Sequence, residues 1–283
     1  MPELPEVETI RRELAPALLG RRIGQVRVYH DYLILGFGGR TRFGRLTRGR
    51  VIGAVDRRAK FLLFLLHRDD AKDGDPERVM RVQLRMTGRF WLGRERPDPV
   101  EFRHPGIELR LDDGRTLFYD DVRRLGGFDV LSLPEWRAIE RSLGPEPLTP
   151  GFTRRRLAER LAPLRAPIKN ALLDQRRIAG IGNIYASEAL YRAGIDPFRP
   201  AGTLAANEID RLHRAIRQVL REALRAAGTT LKDYRTVDGR SGSFQRRLRV
   251  YGRADAPCPR CGTSVVRAVQ GGRSTFYCPE CQT

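Results

Sequence analysis

Cysteine is missing from the first 257 residues, and the four present crowd into the last 26 as Cys258-Pro-Arg-Cys261 and Cys278-Pro-Glu-Cys281. Two-residue spacing inside each pair, 16 residues between the pairs and complete use of the cysteines favour one tetrahedral four-thiolate zinc over the alternative of disulfides. Such a closed coordination sphere makes the metal structural, there to fold a hairpin around the Gly271-Gly272 turn. Long apolar runs are also lacking, since none approaches the roughly 18 to 20 residues of a membrane span. The start is acidic and proline-containing where a signal peptide is basic and then apolar. A soluble, cytoplasmic protein is expected. Lysine is scarce as well: Lys60, Lys72, Lys169 and Lys232 are the only ones among 53 basic residues.

Positive charge itself is abundant. The balance of 53 basic against 34 acidic residues gives +19, so the long-range field draws polyanions and nucleic acid is the leading partner. A chain of 283 residues is long enough for two sizeable cores. No internal repeat or low-complexity tract interrupts it.

The opening, Met1-Pro2-Glu3-Leu4-Pro5-Glu6-Val7-Glu8, supports two readings. Leu4, Val7, Ile10, Leu14 and Leu18 form the apolar stripe of a helix, with Pro5 in its first turn and glutamates at the positive end of its dipole. Removal of Met1 before a small residue also exposes the secondary amine of Pro2, whose pKa near that of an α-amino group, roughly 7.7 to 8.0, leaves a usable unprotonated fraction at neutral pH. From about Arg21 to Val130 the pattern is mostly strand without intervening helices: Met80, Val82, Leu84 and Met86 alternate with polar residues, as do Ile107, Leu109 and Leu111, and Phe61 to Leu66 reads as a buried strand. A sandwich or barrel follows the first helix. Prolines at 134, 145, 147 and 150 mark a link, after which helices are predicted over Phe152–Leu164, Pro167–Gln175, Asn183–Ala193 and Ala205–Ala227. The resulting domains are 1–132, a linker 133–150, a helical domain 151–245 and a zinc finger 246–283.

Three loops carry candidate contacts. Gly180-Ile-Gly182-Asn183 opens a helix with free N–H groups for a phosphate, or is a plain interhelical turn. Arg85-Met86-Thr87-Gly88-Arg89-Phe90 and Asp120-Asp121-Val122-Arg123-Arg124-Leu125-Gly126-Gly127 each set an arginine beside an apolar residue at a strand end, suited to wedging into a base stack or to a solvated loop.

Together these features resemble the bacterial formamidopyrimidine-DNA glycosylases, with endonuclease VIII as sister group. The carriers are Pro2 to Glu8, Lys60, Arg123-Arg124, the run DQRRIAGIGNIYASEAL from Asp174 to Leu190, Tyr251-Gly252-Arg253, and the cysteine pairs with Arg273-Ser274-Thr275-Phe276-Tyr277. The resemblance implies an α+β chain: an N-terminal helix and antiparallel β-sandwich, a helix-two-turn-helix domain and a zinc-ribbon hairpin. It implies a monomeric, nucleoid-associated enzyme that excises oxidised purines from damaged or abasic duplex DNA and then cuts the strand by β,δ-elimination. Pro2 is then the nucleophile and Glu3 the acid/base at the sugar ring oxygen, with Glu6 organising the helix start. Lys60 assists phosphate binding and base departure, and Lys169, Asn183 and Arg273 hold phosphates. Met86, Arg123 and Leu125, flanked by Arg124, fill the gap left by the extruded nucleotide. Here the chain departs from the common pattern, which has proline at Val122 and phenylalanine at Leu125. Thr229 to Phe244 is the expected lid over an extruded purine. Two alternatives stand beside this reading: the sister specificity for oxidised pyrimidines, and a catalytically silent nucleic-acid clamp.

Overall fold

The computed structural model describes residues 2–36, 38–68 and 75–283. Met1, whose removal the Pro2 reading assumes, lies outside them, as does Lys72. The chain forms two compact units: residues 1–141 with 227–243, and 142–226 with 244–283.

In the first unit the apolar stripe becomes α1 (Leu4–Leu18), with Val7, Ile10, Leu14 and Leu18 in the core. The strands are β1 (Ile23–Val28), β2 (Val51–Arg58), β3 (Phe61–His67), β4 (Arg78–Gln83), β5 (Gly88–Gly93), β6 (Pro105–Leu111), β7 (Thr116–Asp121) and β8 (Gly127–Ser132). They pair as two antiparallel four-stranded sheets, β1-β6-β7-β5 and β2-β3-β4-β8, whose inner faces share one cluster. That is the expected sandwich. The unbroken apolar run of β3 has a reason on each face. Leu62, Phe64 and Leu66 enter the main core, while Leu63 packs outward on Trp136. Trp136 belongs to α3 (Leu133–Arg141), so part of the presumed linker is a helix that covers the sheet.

One expectation fails here. The strand-rich stretch contains α2 (Gly39–Thr47), whose Phe43 packs edge-on against Phe128. Its sequence GRTRFGRLT carries Gly44 and three arginines, so local propensity and apolar periodicity are both weak and tertiary packing decides. The strand at 80–86 also stops early. β4 ends at Gln83, and Met86 sits in the turn that leads to β5.

The second unit is built on α4 (Arg154–Leu161), α5 (Ile168–Leu173), α6 (Asn183–Ala193) and α7 (Ala206–Arg225), with β9 (Val266–Gln270) and β10 (Arg273–Tyr277) as a hairpin. The buried Ile209, Leu212, Ile216, Val219, Leu220 and Ala223 line one face of α7 and join α6 in a single core. Residues 227–243, placed with the helical domain on sequence grounds, cluster with the sandwich unit instead. Hydrogen bonds to α1 and the packing of Tyr234 and Val237 on the sandwich core are the physical cause.

Candidate active site and nucleic-acid interface

The start of α1 is a buried carboxylate cluster. Pro2, Glu3 and Glu6 are all buried, and Glu6 Oε2 accepts the Glu3 N–H at 2.7 Å. Its other oxygen, Oε1, accepts the Thr229 N–H at 2.8 Å, across 223 positions of sequence. Glu6 therefore joins the residue after Pro2 to the start of the 229–244 segment. Gly228, at φ +85°, permits the approach: a Cβ there would lie 2.8 Å from Glu6 Oε1. The segment closes on itself through Thr230, whose hydroxyl donates to Tyr234 O and accepts the Gly242 N–H. Burial, reinforced by the Glu6 charge, pushes the Tyr234 phenol far above its ordinary range, and its hydroxyl reaches Glu6 O at 3.4 Å. A further bond, Val237 N–H to Glu13 Oε2 at 2.6 Å, fixes the far end to the same helix.

Lys60 is the second residue of the β2–β3 turn, whose first, Ala59, has φ +55°. Arg57 holds that turn. Its Nη1 donates to Ala59 O at 2.9 Å and its Nε to Glu8 Oε2 at 3.1 Å, so α1 and the Lys60 hairpin share one ion pair. Burial alone would raise the Glu8 pKa, but hydrogen bonds from Arg11 and Arg12 and the Arg57 charge outweigh it and hold the group at about 2.

Met86, Arg123, Arg124 and Leu125 are exposed on two neighbouring turns, with Arg123 Nη1 2.8 Å from Met86 Sδ. Leu125 keeps 48% and Val122 46% of their surface in solvent.

In the second unit, Lys169, Asn183 and Arg273 gather at one place. Asn183 opens α6 and donates through Nδ2 to Ser274 O at 2.9 Å. The Lys169 ammonium donates to the same carbonyl at 3.2 Å and to Thr275 Oγ1 at 2.8 Å. Lys169 is fully buried, so its charge is committed to the β-hairpin, whereas Arg273, one residue before Ser274, is exposed. The turn before α6 is packed from inside by Gln175, which donates to Leu173 O and Ile181 O and accepts the Gly180 N–H. Glu188, unremarked in the sequence, is the one acid within the apolar run NIYASEAL. Fully buried, it accepts the N–H groups of Arg249, Val250 and Tyr251 and so fixes the backbone that leads into Tyr251-Gly252-Arg253. Burial raises its pKa in spite of those bonds.

The sulfurs of Cys258, Cys261, Cys278 and Cys281 lie within 4.8 Å of one another. The edge of a tetrahedron with Zn–S of 2.3 Å is about 3.8 Å, and the Cys258–Cys281 and Cys261–Cys278 pairs stand at 3.9 and 3.5 Å. The donor set fits one structural zinc. Its hairpin carries Arg273 directly after Gly271-Gly272, both at positive φ.

Comparison with known proteins agrees over the whole length. Residues 1–128 match the formamidopyrimidine-DNA glycosylase N-terminal domain, 143–235 the formamidopyrimidine-DNA glycosylase H2TH domain, and 256–283 the zinc finger found in FPG and IleRS. The formamidopyrimidine-DNA glycosylase of Chloroflexus aggregans is 46% identical over 283 residues, covering all of this chain and 98% of its own. The chain belongs to the formamidopyrimidine-DNA glycosylase family. Among solved family structures, the MutM (Fpg) protein of Thermus thermophilus superposes with a TM-score of 0.86 at 44% identity, covering 99% of this chain and 98% of that one. A Lactococcus lactis Fpg variant in complex with Fapy-dG-containing DNA gives 0.87 at 31% identity over both full chains. Family membership places the protein among DNA repair glycosylases with a zinc finger. No helix among the described residues is long and apolar enough to cross a membrane.

Proposed function

We propose that the protein removes oxidised purines, 8-oxoguanine and formamidopyrimidines, from duplex DNA and then cleaves the strand as an abasic-site lyase. The observation that carries this reading is the Glu6 carboxylate, which binds the Glu3 N–H with one oxygen and the Thr229 N–H with the other. It joins the nucleophile-bearing start of α1 to the segment suited to cover an extruded base.

With Met1 removed, the Pro2 nitrogen attacks the sugar C1′ once the nucleotide has left the stack, an unstacking that costs a few kcal/mol. The C1′–N bond breaks and the base departs with a proton, a step for which Lys60 is the candidate donor. Glu3 protonates the ring oxygen as the sugar opens to the Schiff base. That iminium acidifies C2′–H, so loss of this proton expels the 3′ phosphate; loss of the C4′ proton then expels the 5′ phosphate. Arg273 holds a phosphate of the damaged strand. Lys169 and Asn183, both bonded to Ser274 O, fix the hairpin from which Arg273 projects, so we assign Lys169 to support of that contact. Met86, Arg123 and Leu125 fill the vacated space, with Arg124 on the neighbouring backbone.

The pyrimidine-directed alternative differs in the lid. Substrate ranking tests the choice: kcat/KM on duplexes carrying 8-oxoguanine should exceed that on matched duplexes carrying thymine glycol, with phosphates left at both ends of the gap. A reversed ranking, or a single elimination product, would contradict it.

A further inference from the structure

Two turns at the surface converge on one carboxylate inside. Asp121 ends β7 fully buried and pairs in register with Gly88, the first residue of β5. Its Oδ1 accepts the Thr87 hydroxyl, and its Oδ2 accepts the Gly126 N–H at 2.6 Å. Thr87, itself buried, also accepts the Arg123 N–H at 2.9 Å. Thr87 belongs to the Met86 turn; Arg123 and Gly126 flank Leu125 in the other. Arg123 is therefore linked through the Thr87 hydroxyl to the same carboxylate that holds Gly126.

The turns need such a tie. Arg85, next to Met86, has φ +53°, and Arg124, next to Arg123, has φ +54°, backbone states that non-glycine residues keep only where their surroundings over-determine them. Their roots are equally constrained. A Cβ at Gly88 or Gly126 would come within 2.3 or 1.9 Å of the Tyr119 hydroxyl, so both chains pass the same buried ring as glycine. The exposed ends meet as well, Arg123 Nη1 against Met86 Sδ.

We propose that Asp121, acting through Thr87, is a positioning residue that makes the two turns one rigid wedge, so that Met86 and Leu125 enter the stack together and Arg123 reads the orphaned base from a fixed place. The inference rests on the void-filling role given above to these side chains. Thr87→Val removes the relay with little change in shape. Asp121→Asn keeps an acceptor for only one of its two donors, and Thr87→Ser restores the hydroxyl. A buried donor left without its acceptor loosens the arrangement enough for about a tenfold change.

The test uses the full-length protein on two substrates. On a duplex with a non-cleavable abasic analogue and 2-aminopurine opposite it, wild type and Thr87→Ser should raise fluorescence on binding, while Thr87→Val and Asp121→Asn should raise it little. Discrimination among opposite bases on a lesion duplex should fall about tenfold in the same two variants, while borohydride trapping on a single-stranded abasic oligonucleotide stays within about twofold. A wild-type fluorescence rise in Thr87→Val, or equal losses on duplex and single strand, would overturn the proposal. A wild type that traps DNA yet gives no rise defeats the void-filling reading and the proposal with it. A wild type that gives the rise without trapping defeats only the chemistry, and the variant comparison still decides the role of Asp121.

Discussion

At the scale of single residues, the proposed reaction assigns the proton chemistry to Glu3 and the wedge to the exposed aliphatic Leu125. Glu3→Gln keeps the size and loses the transferable proton, so lesion affinity should persist while single-turnover excision slows by about 10²–10⁴-fold. Equal loss of affinity would make Glu3 a binding group. Leu125 offers no aromatic face, and stacking of a base on an aromatic ring contributes about 1–3 kcal/mol. Leu125→Phe should therefore tighten duplex lesion binding severalfold in equilibrium titration, and Met86→Ala should weaken it. Unchanged affinity in both would mean that these turns stay out of the stack. Much of this scale was legible in the sequence, because Pro2, Glu3, the wedge residues and Arg273 stand in short local motifs. Lys169 was legible as a site residue but not as a buried one, since its partners Ser274 and Thr275 lie more than a hundred positions away. The buried roles of Asp121, which the sequence shows only as part of a loop, and of Glu188 were not legible for the same reason: a buried acid is identified by what it binds.

At the scale of elements, the ion pair between α1 and the Lys60 hairpin sets a pH dependence. Glu8 has an ordinary pKa of 4.5 and is held at about 2 in the fold. A depressed carboxylate pKa adds stability that is present above the unfolded value and is lost as pH falls from about 4.5 toward 2. Discounted for solvent screening, the contribution is about 1–2 kcal/mol at neutral pH. Glu8→Gln should lower stability at pH 7 by roughly that amount and flatten the loss on acidification, as read by urea unfolding at pH 7 and pH 3. An unchanged acid limb would mean that Glu8 does not set it. The zinc hairpin makes a second prediction: verified metal-free protein should lose duplex affinity while the main unfolding transition remains. Retained affinity would contradict the role of Arg273. Helix α6 and the zinc knuckles were readable because glycine, asparagine and cysteine spacing are local signals. Helix α2 was not, since Phe43 against Phe128 stabilises it from a distance.

At the scale of the whole molecule, the charge of +19 governs encounter with DNA. Affinity for undamaged duplex should fall steeply with salt, and Arg273→Ala should reduce the slope of log K against log salt by about one, while Leu125→Phe leaves it unchanged. The sequence pattern reached the sandwich and the helical domain but not the return of residues 227–243 to the first unit, which depends on Glu6, Glu13 and Gly228 meeting across more than two hundred positions. That return brings the 229–244 segment to the carboxylate that also holds the Glu3 N–H, next to Pro2. The most direct test of Pro2 as nucleophile is borohydride reduction of the protein with an 8-oxoguanine duplex, followed by mass spectrometric mapping of the cross-link. Attachment at the nitrogen of residue 2 is predicted, and attachment at Lys60, or none with fully processed protein, would contradict it.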